Sequence, residues 1–511
     1  MFVQALVVGA ALVLAYKLLS EVLRRVRTPL NDLAGPKPSH WFLGNFPEIA
    51  DSNHAVISNW TARWGSTFSF YSVFQNKSLC TVDHKAVNHI LSHSNTYQKP
   101  SIQRERLALV LGKAFGPTQL KELTEVFNDK AIQLRDVWSA LIAENKTARI
   151  EAVGWLGKAT LDIIGQAGFG YDFSSLDATK GANELSTAFA NLFKNSNSRG
   201  LGVLRFFIPF LQYLPSAQQR RVKASQETMS RVGNKLLADA KAALARGNNG
   251  KDGEQGRDLL SLLVHANTAD DIPVSQRLSD KDVLAQVPTF LVAGHETTST
   301  ATAWALYCLT QAPAVQRKLR EELLRVSSDT PSMDELNGLH YLDQVVREVL
   351  RLYAPVPMLM REAVADDVVP LAAPIVDVRG RARSSVRINK GDQVLISVRT
   401  INISTATWGP DALEFKPERW DAVPAEAQHV PGVWAHQMTF SAGPRACIGY
   451  KFSLVETKAL LFALVRAFEF ELAVAGADIR GSASSVVQRP FVVSEPEKGV
   501  QMPLIVRPYM A

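Results

Sequence analysis

Phe440-Ser441-Ala442-Gly443-Pro444-Arg445-Ala446-Cys447-Ile448-Gly449 brings one cysteine, one arginine, two glycines and a proline together ahead of a helical run from Lys451 to Phe470. A cysteine just before a helix meets free N–H groups and the positive end of the helix dipole, which favour a thiolate. Gly443 and Gly449 carry no Cβ, so backbone can come close to a large flat partner. Arg445 offers a planar fork of donors for a carboxylate. A lone thiolate in such a turn suits axial ligation of haem iron. Two other readings compete: a buried structural cysteine, or a zinc ligand. The zinc reading needs distant partners, because no C-x-x-C or paired histidine lies nearby.

Two further stretches carry chemistry. Ala293-Gly294-His295-Glu296-Thr297-Thr298 sits in the middle of a long helical pattern, Lys281–Thr310. There Glu296 is an acid able to pass protons, and Thr297 can bond back to a carbonyl and open the helix locally. On its own the segment is equally a polar helix face. Glu348-Val349-Leu350-Arg351 places an acid and a base on one helix face, a commonplace pair until it is set beside Pro417-Glu418-Arg419-Trp420.

The pattern F-x-x-G-x-R-x-C-x-G is complete here, and it resembles the haem-binding loop of the cytochrome P-450 monooxygenases. The Ala293–Thr298 segment is similar to the oxygen-binding segment of the same family. The resemblance implies Cys447 as the haem iron's axial ligand, with Phe440, Gly443, Arg445, Gly449 and Arg361 as cofactor-binding residues, Arg361 at a propionate. It implies Thr297 and Glu296 as the proton-delivery pair, with Gly294 leaving room for dioxygen. Glu348, Arg351 and Arg419 become a structural network beneath the haem. Phe290, Ala293, Gly294, Val356 and Met358 become pocket residues, the last two on a segment entering from a strand edge.

The elements that must position these residues are mostly helical. Strand-like Thr67–Phe74 and Ser78–Val82 flank a turn at Gln75-Asn76-Lys77. Asp83 caps a short helical pattern ending at Leu91. Helical patterns follow at Leu120–Ile142, Glu151–Ala167, Ala182–Phe193, Ser216–Ala245, Asp258–His265 and Lys281–Thr310, the last with Pro288 as a kink or start. Leu336–Tyr353 is amphipathic, and short strands alternate with charged turns over Ile375–Val398. The expected fold class is therefore mainly α with small β-sheets (α+β), and the resemblance makes it the cytochrome P-450 fold around a buried haem. Apolar Leu201–Leu214 reads as core or as the lip of a substrate channel, and Gly247–Gly256 as a surface loop.

Composition sets the outer limits. The 511 residues are 46% hydrophobic, with three cysteines (Cys80, Cys308, Cys447) and a net charge of +7. Such a chain can bury a large core, and it has no disulfide framework. The basic residues are scattered, so nucleic acid is not an expected partner. Phe2–Tyr16 is apolar or small apart from Gln4, and Arg24, Arg25 and Arg27 follow it. That order of charge reads as a retained membrane anchor rather than a cleaved signal, leaving the bulk on the cytoplasmic side. The expected organisation is an anchor over 1–20, a basic and Pro-rich linker over 21–40, read as an extended spacer, and one haem-thiolate domain over 41–511. Sequons starting at Asn59, Asn76, Asn145 and Asn402 would then stay unmodified.

One family feature is missing. Leu111-Gly112-Lys113 and Ala114-Phe115-Gly116-Pro117 resemble the text on either side of a helix whose Trp or His and Arg hold the haem propionates, and that helix is absent between Lys113 and Ala114. The resemblance implies a membrane-anchored, single-pass enzyme of the endoplasmic reticulum. It would insert one oxygen atom of O2 into a lipophilic substrate, in fungal secondary metabolism such as terpenoid biosynthesis. No G-x-G-x-x-G fingerprint is present, so electrons must come from a separate NADPH-dependent reductase. The alternatives are an impaired haem-binding protein lacking the propionate helix, and a haem-thiolate isomerase or dehydratase.

Overall fold

The computed structural model describes residues 25–51, 55–99, 116–143, 146–177, 179, 183–185, 187–188, 217–245, 260–261, 264, 279–482 and 486–510. The described α-helices are α1 (Phe46–Asp51), α2 (Ala55–Trp64), α3 (His84–Ser92), α4 (Pro117–Ile142), α5 (Ala152–Phe169), α6 (Ala217–Ala245), α7 (Asp280–Gln311), α8 (Pro313–Leu324), α9 (Met333–Gly338), α10 (His340–Leu352), α11 (Val398–Asn402), α12 (Thr405–Trp408) and α13 (Tyr450–Ala467). The strands are β1 (Thr67–Tyr71), β2 (Lys77–Thr81), β3 (Tyr97–Gln98), β4 (Ala148–Glu151), β5 (Leu359–Ala363), β6 (Asp367–Val376), β7 (Ala382–Ile388), β8 (Gln393–Ile396), β9 (Phe468–Leu472), β10 (Ile479–Gly481), β11 (Pro490–Val492) and β12 (Pro503–Pro508). They divide into two compact units, one spanning Met1–Ala108, Asp343–Tyr450 and Ala475–Gln501, the other Leu109–Leu342, Lys451–Val474 and Met502–Ala511.

The first unit is built on a five-stranded sheet of order β1-β2-β8-β5-β3, in which β2 and β8 run parallel. Every residue of β1 except Tyr71, and of β2 except Lys77, is buried, so these strands are covered on both faces and carry no polar–apolar alternation. Asp83 starts α3: its Oδ1 accepts from the N–H groups of Lys85 (3.1 Å) and Ala86 (3.0 Å). The same carboxylate accepts from Ala372 N of β6, which ties helix to strand. Helix α3 buries Ala86, Val87, Ile90 and Leu91, one face at helical spacing. This face joins an apolar cluster that reaches Met438 and Ala442, immediately ahead of the cysteine turn.

The second unit holds the long helices and a three-stranded sheet of order β4-β12-β9. Glu151 caps α5 by accepting from Val153 N (2.9 Å) and Gly154 N (2.7 Å), and Gly170 ends it in the left-handed conformation. Helix α7 has 32 residues, about 48 Å at 1.5 Å per residue. It packs along α5.

Several expectations change. Gln75-Asn76-Lys77 does not form the hairpin turn alone; a 3-10 turn at Val73–Gln75 does, with Phe74 and Gln75 both at positive φ. Helix α7 passes Pro288 without starting there. The amphipathic run from Leu336 is two helices, α9 and α10, and the run from Lys451 gives its last residues to β9. The Pro-rich stretch is docked rather than an extended spacer. Pro29–Asp32 is a 3-10 helix with Leu30 fully buried, and Ala34 O accepts from Ser69 N of β1. The expected anchor (1–20), the channel lip Leu201–Leu214, the loop Gly247–Gly256 and the join at Lys113–Ala114 lie outside the described residues. Among the described residues no helix is long and apolar enough to cross a membrane.

Candidate active site

The cysteine turn is assembled from two 3-10 turns, Met438–Phe440 and Gly443–Arg445. Between them Ser441 holds φ 62° and ψ −164°, a conformation essentially confined to glycine and costing about 1–3 kcal/mol. The surroundings hold it there. Asn402 Oδ1 accepts from Met438 N (2.7 Å), and Asn402 Nδ2 donates to Thr439 Oγ1 (2.8 Å). Thr439 Oγ1 donates to Leu350 O of α10 (2.7 Å). Phe440 is buried, its ring 5.5 Å from Trp434 and 5.9 Å from Tyr450. Gly443 has φ +70°, and a Cβ there would lie 2.4 Å from Leu91 O at the end of α3. That packing, with no flat partner involved, is enough to require glycine.

Cys447 donates its N–H to Phe440 O (2.9 Å). Its side chain is exposed, yet protein atoms around it are dense enough that burial is the main influence on its acidity. The two observations agree for a thiol that faces open space with protein behind it. Burial pushes the Cys447 thiol up from its ordinary value, while the Gly449 N–H and the charge of Lys99 pull it down by less. The backbone N–H at the helix start acts in the direction the sequence reading expects, and burial outweighs it. Ligation would then release the proton.

Arg361 lies on β5 opposite Val394 of β8 and is 4% exposed. Its Nη1 donates to Met360 O (2.9 Å). Burial first, and then the like charge of Arg445, bring its guanidinium down to about 10. Among the described residues neither arginine has a carboxylate partner within ion-pair distance. Two neighbouring cations held without an acid are a site for an anion. The donor set of one thiol and two guanidiniums therefore fits haem: Cys447 would ligate its iron, and Arg361 and Arg445 would hold its two carboxylates. Among the described residues no three His, Cys, Asp or Glu side chains gather as a bare metal site, so the zinc reading has no ligand set there. An Arg361→Met protein is expected to retain haem roughly tenfold or more weakly, the scale of one charged hydrogen bond. Its haem-free form should melt higher, because a buried like-charge contact is gone. Haem titration and thermal melts of both forms check this.

Glu348, Arg351 and Arg419 come together. Arg351 Nε donates to Glu348 Oε2 (2.9 Å) and Nη2 to Oε1 (2.8 Å), with both side chains fully buried. Arg419 Nε reaches the same Oε1 at 3.2 Å. Asp411 belongs to no motif in the sequence, and its Oδ1 accepts from Arg419 Nη1 at 2.6 Å. Its bonds to Arg419 and Lys416 hold the Asp411 carboxyl down at about 2. Arg351 Nη1 also donates to the carbonyls of Asn402 and Ala412. Asn402 thus joins this network to the cysteine turn, a link made by residues too far apart in sequence to form a motif.

Glu296, Thr297, Gly294, Phe290 and Ala293 are carried by α7 in the other unit. Glu296 is buried, and Thr297 Oγ1 donates to Ala293 O (2.7 Å) while the helix stays unbroken. Neighbouring side chains load other carbonyls of the turn: His295 Nδ1 lies 2.9 Å from Leu291 O, and Thr160 Oγ1 of α5 donates to His295 O (3.0 Å). A Cβ at Gly294 would sit 2.7 Å from Ile164 Cγ1 of α5, so helix packing already accounts for this glycine. Gly294→Ala is expected to destabilise the protein by about 1–3 kcal/mol, and Ile164→Ala to recover part of that loss. Denaturation midpoints of the single and double variants test the coupling.

The remaining sequence candidates divide. Ala293 is exposed and Phe290 half-buried. Val356 is half-buried, and Met358 packs against the apolar cluster of Ile57, Trp60 and Phe68. Of the segment Val356–Met360, Leu359 and Met360 pair with Ile396 and Leu395 of β8, while β3 pairs only with Glu362 and Ala363 further along β5.

Comparison with known proteins bears on the whole chain. The cytochrome P-450 family model matches residues 103–490. Cytochrome P-450 monooxygenase 205 of Postia placenta is 49% identical over 528 residues, covering 98% of this chain and 97% of the relative. Monooxygenase 128 of the same fungus is 48% identical over 525 residues, covering 97% and 96%. Monooxygenase claQ of Ampulloclitocybe clavipes is 33% identical over 527 residues, covering 96% and 95%. The helix-rich architecture with small sheets, the haem with O2 and reductase-derived electrons, and the oxidoreductase class all follow from that match: the chain belongs to the cytochrome P-450 family of monooxygenases.

Proposed function

We propose that this chain hydroxylates, or oxidises in a related way, a lipophilic small molecule of fungal secondary metabolism, such as a terpenoid. Electrons would come from a separate NADPH-dependent reductase, and the apolar N-terminal segment would hold the enzyme on the endoplasmic reticulum with its bulk in the cytoplasm. The observation that carries the reading is the exposed Cys447 thiol in one unit with the acid-less pair Arg361 and Arg445. When bound, haem supplies dioxygen activation. Cys447 would ligate its iron, and the two arginines would hold its carboxylates. Glu296 would pass protons inward, and Thr297, already bonded to Ala293 O, would hand them on. Phe290, Ala293, Val356 and Met358 are apolar, which favours a lipophilic substrate. The relatives' fungal sources favour the metabolic setting. Purified protein should show a thiolate-type carbonyl difference spectrum and should dealkylate a fluorogenic alkoxycoumarin only with reductase and NADPH. A redox-neutral conversion of the native substrate, to an isomer or a dehydrated product, without a reductase would instead indicate an isomerase or dehydratase.

One observation favours a second reading. The 528 aligned positions exceed the chain's 511 residues, so monooxygenase 205 carries residues that this chain lacks. If the gap falls at the Lys113–Ala114 join, propionate-binding cations are lost and the protein is an impaired haem binder. Loosely held haem with no reductase-dependent product is the result expected of that reading.

A further inference from the structure

Asp367 opens β6 and is half-buried. Its Oδ2 accepts from the Tyr97 hydroxyl of β3 (2.8 Å) and lies 2.8 Å from His89 Nε2 of α3, while Oδ1 accepts from Val368 N (2.7 Å). Burial pushes the Asp367 carboxyl up, but the bonds from His89, Tyr97 and Val368 outweigh it and hold the group below its ordinary value. A carboxylate only accepts, so His89 donates from Nε2. Burial first, and then the bond to Asp367, push the Tyr97 phenol up, which keeps it a donor. Each arm of this tie leads to one half of the haem site. Helix α3 ends against the cysteine turn, where Leu91 O is the nearest atom to a Cβ at Gly443, and its apolar face shares a cluster with Met438 and Ala442. Strand β3 pairs with β5 at Glu362 and Ala363, directly beyond Arg361.

We propose that Asp367 is a positioning residue of the haem site: by holding α3 and β3 at one oxygen, it fixes the cysteine turn relative to the strand that carries Arg361. The role rests on the reading of Cys447 as the iron's ligand and Arg361 as the partner of a haem carboxylate. Both residues would grip one rigid group, so the spacing of turn and strand has to match it, to within about 0.5 Å in a site of this kind. Asp83 already pins the start of α3 to Ala372 of β6. Asp367, at the head of the same strand, pins the last turn through His89. With both ends held, α3 cannot pivot beneath Gly443. His93, just past α3, closes the connection: its Nδ1 donates to His89 O (2.8 Å), and its carbonyl accepts from Tyr97 N (2.9 Å). Asp367 touches no reacting atom.

Two measurements on the full-length haem protein test this role. The ferric electron paramagnetic resonance spectrum reads the bond between sulfur and iron, and transfer of haem to excess apomyoglobin reads retention. In Asp367→Ala, and in His89→Leu, which removes the α3 arm alone, the g values of the folded protein should shift. Haem should leave either variant about three- to tenfold faster, the scale of one lost hydrogen bond. Asp367→Asn, whose amide oxygen still accepts from both partners, should stay within about twofold of the unaltered protein. Faster haem loss with an unshifted spectrum would mean that Asp367 only supports the fold, and it overturns the proposal. An unshifted spectrum with an unchanged rate overturns it as well. If Cys447→Ser alters the spectrum while Asp367→Ala does not, the positioning role fails and the ligand reading stands. If Cys447→Ser leaves the spectrum unchanged, both fail.

Discussion

A Cys447→Ser protein is expected to fold, to give no thiolate-type carbonyl band and to turn over at background. The fold should tolerate the change because the Cys447 side chain is exposed, its backbone N–H still donates to Phe440 O, and a serine oxygen can still accept from Gly449 N–H. The chemistry should not tolerate it, since a serine hydroxyl is not deprotonated near neutral pH and is a poor, hard ligand for haem iron. Losing an outer-shell partner costs a metal site roughly 10–100-fold, and loss of the ligand itself should exceed that. Absorption and carbonyl difference spectra at matched protein concentration read the result. An unchanged spectrum in Cys447→Ser would remove sulfur ligation at this position and every role built on it.

Glu348→Ala should do the opposite and damage the fold first. Glu348 is fully buried and accepts two hydrogen bonds from Arg351, one from Arg419 and one from Lys416 N. Removing it leaves the fully buried Arg351 guanidinium without its carboxylate, a loss of about 3–5 kcal/mol. Against the roughly 5–15 kcal/mol that holds a typical domain together, that is enough to lower the folded population markedly. Arg419 keeps Asp411 (2.6 Å), so Arg351 carries most of the damage. Glu348→Gln should recover little, because its amide nitrogen presents hydrogens to guanidinium donors. Denaturant midpoints check this: Cys447→Ser should leave the midpoint in place, and Glu348→Ala should shift it. A Glu348→Ala protein of unchanged midpoint would mean that solvent reaches Arg351.

Local signals were legible wherever a few adjacent residues decide the outcome. Asp83 and Glu151 could be read at helix starts because an N-cap needs only its own carboxylate and the next turn's N–H groups. The sheet pairing was not legible. β2 lies beside β8, more than three hundred residues on, and strands buried on both faces carry no alternation to set a register. The glycines show the same limit. Gly294 and Gly443 were read as making room for a ligand or cofactor, whereas the nearest atoms to a Cβ at each belong to Ile164 and Leu91. No property of a glycine names the neighbour it admits.

The sequence by itself determined the family, the single cysteine in its turn and the two arginines of that unit. A metal–thiolate site needs few residues, and the turn that presents the sulfur is a continuous segment. Only the tertiary structure decided that Arg361 and Arg445 stand together without an acid and that Asp411 and Asn402 complete the Glu348 network. Those outcomes depend on burial and on approach between distant segments. A charge or a carboxyl takes its energy from what surrounds it, and that is set when the chain packs.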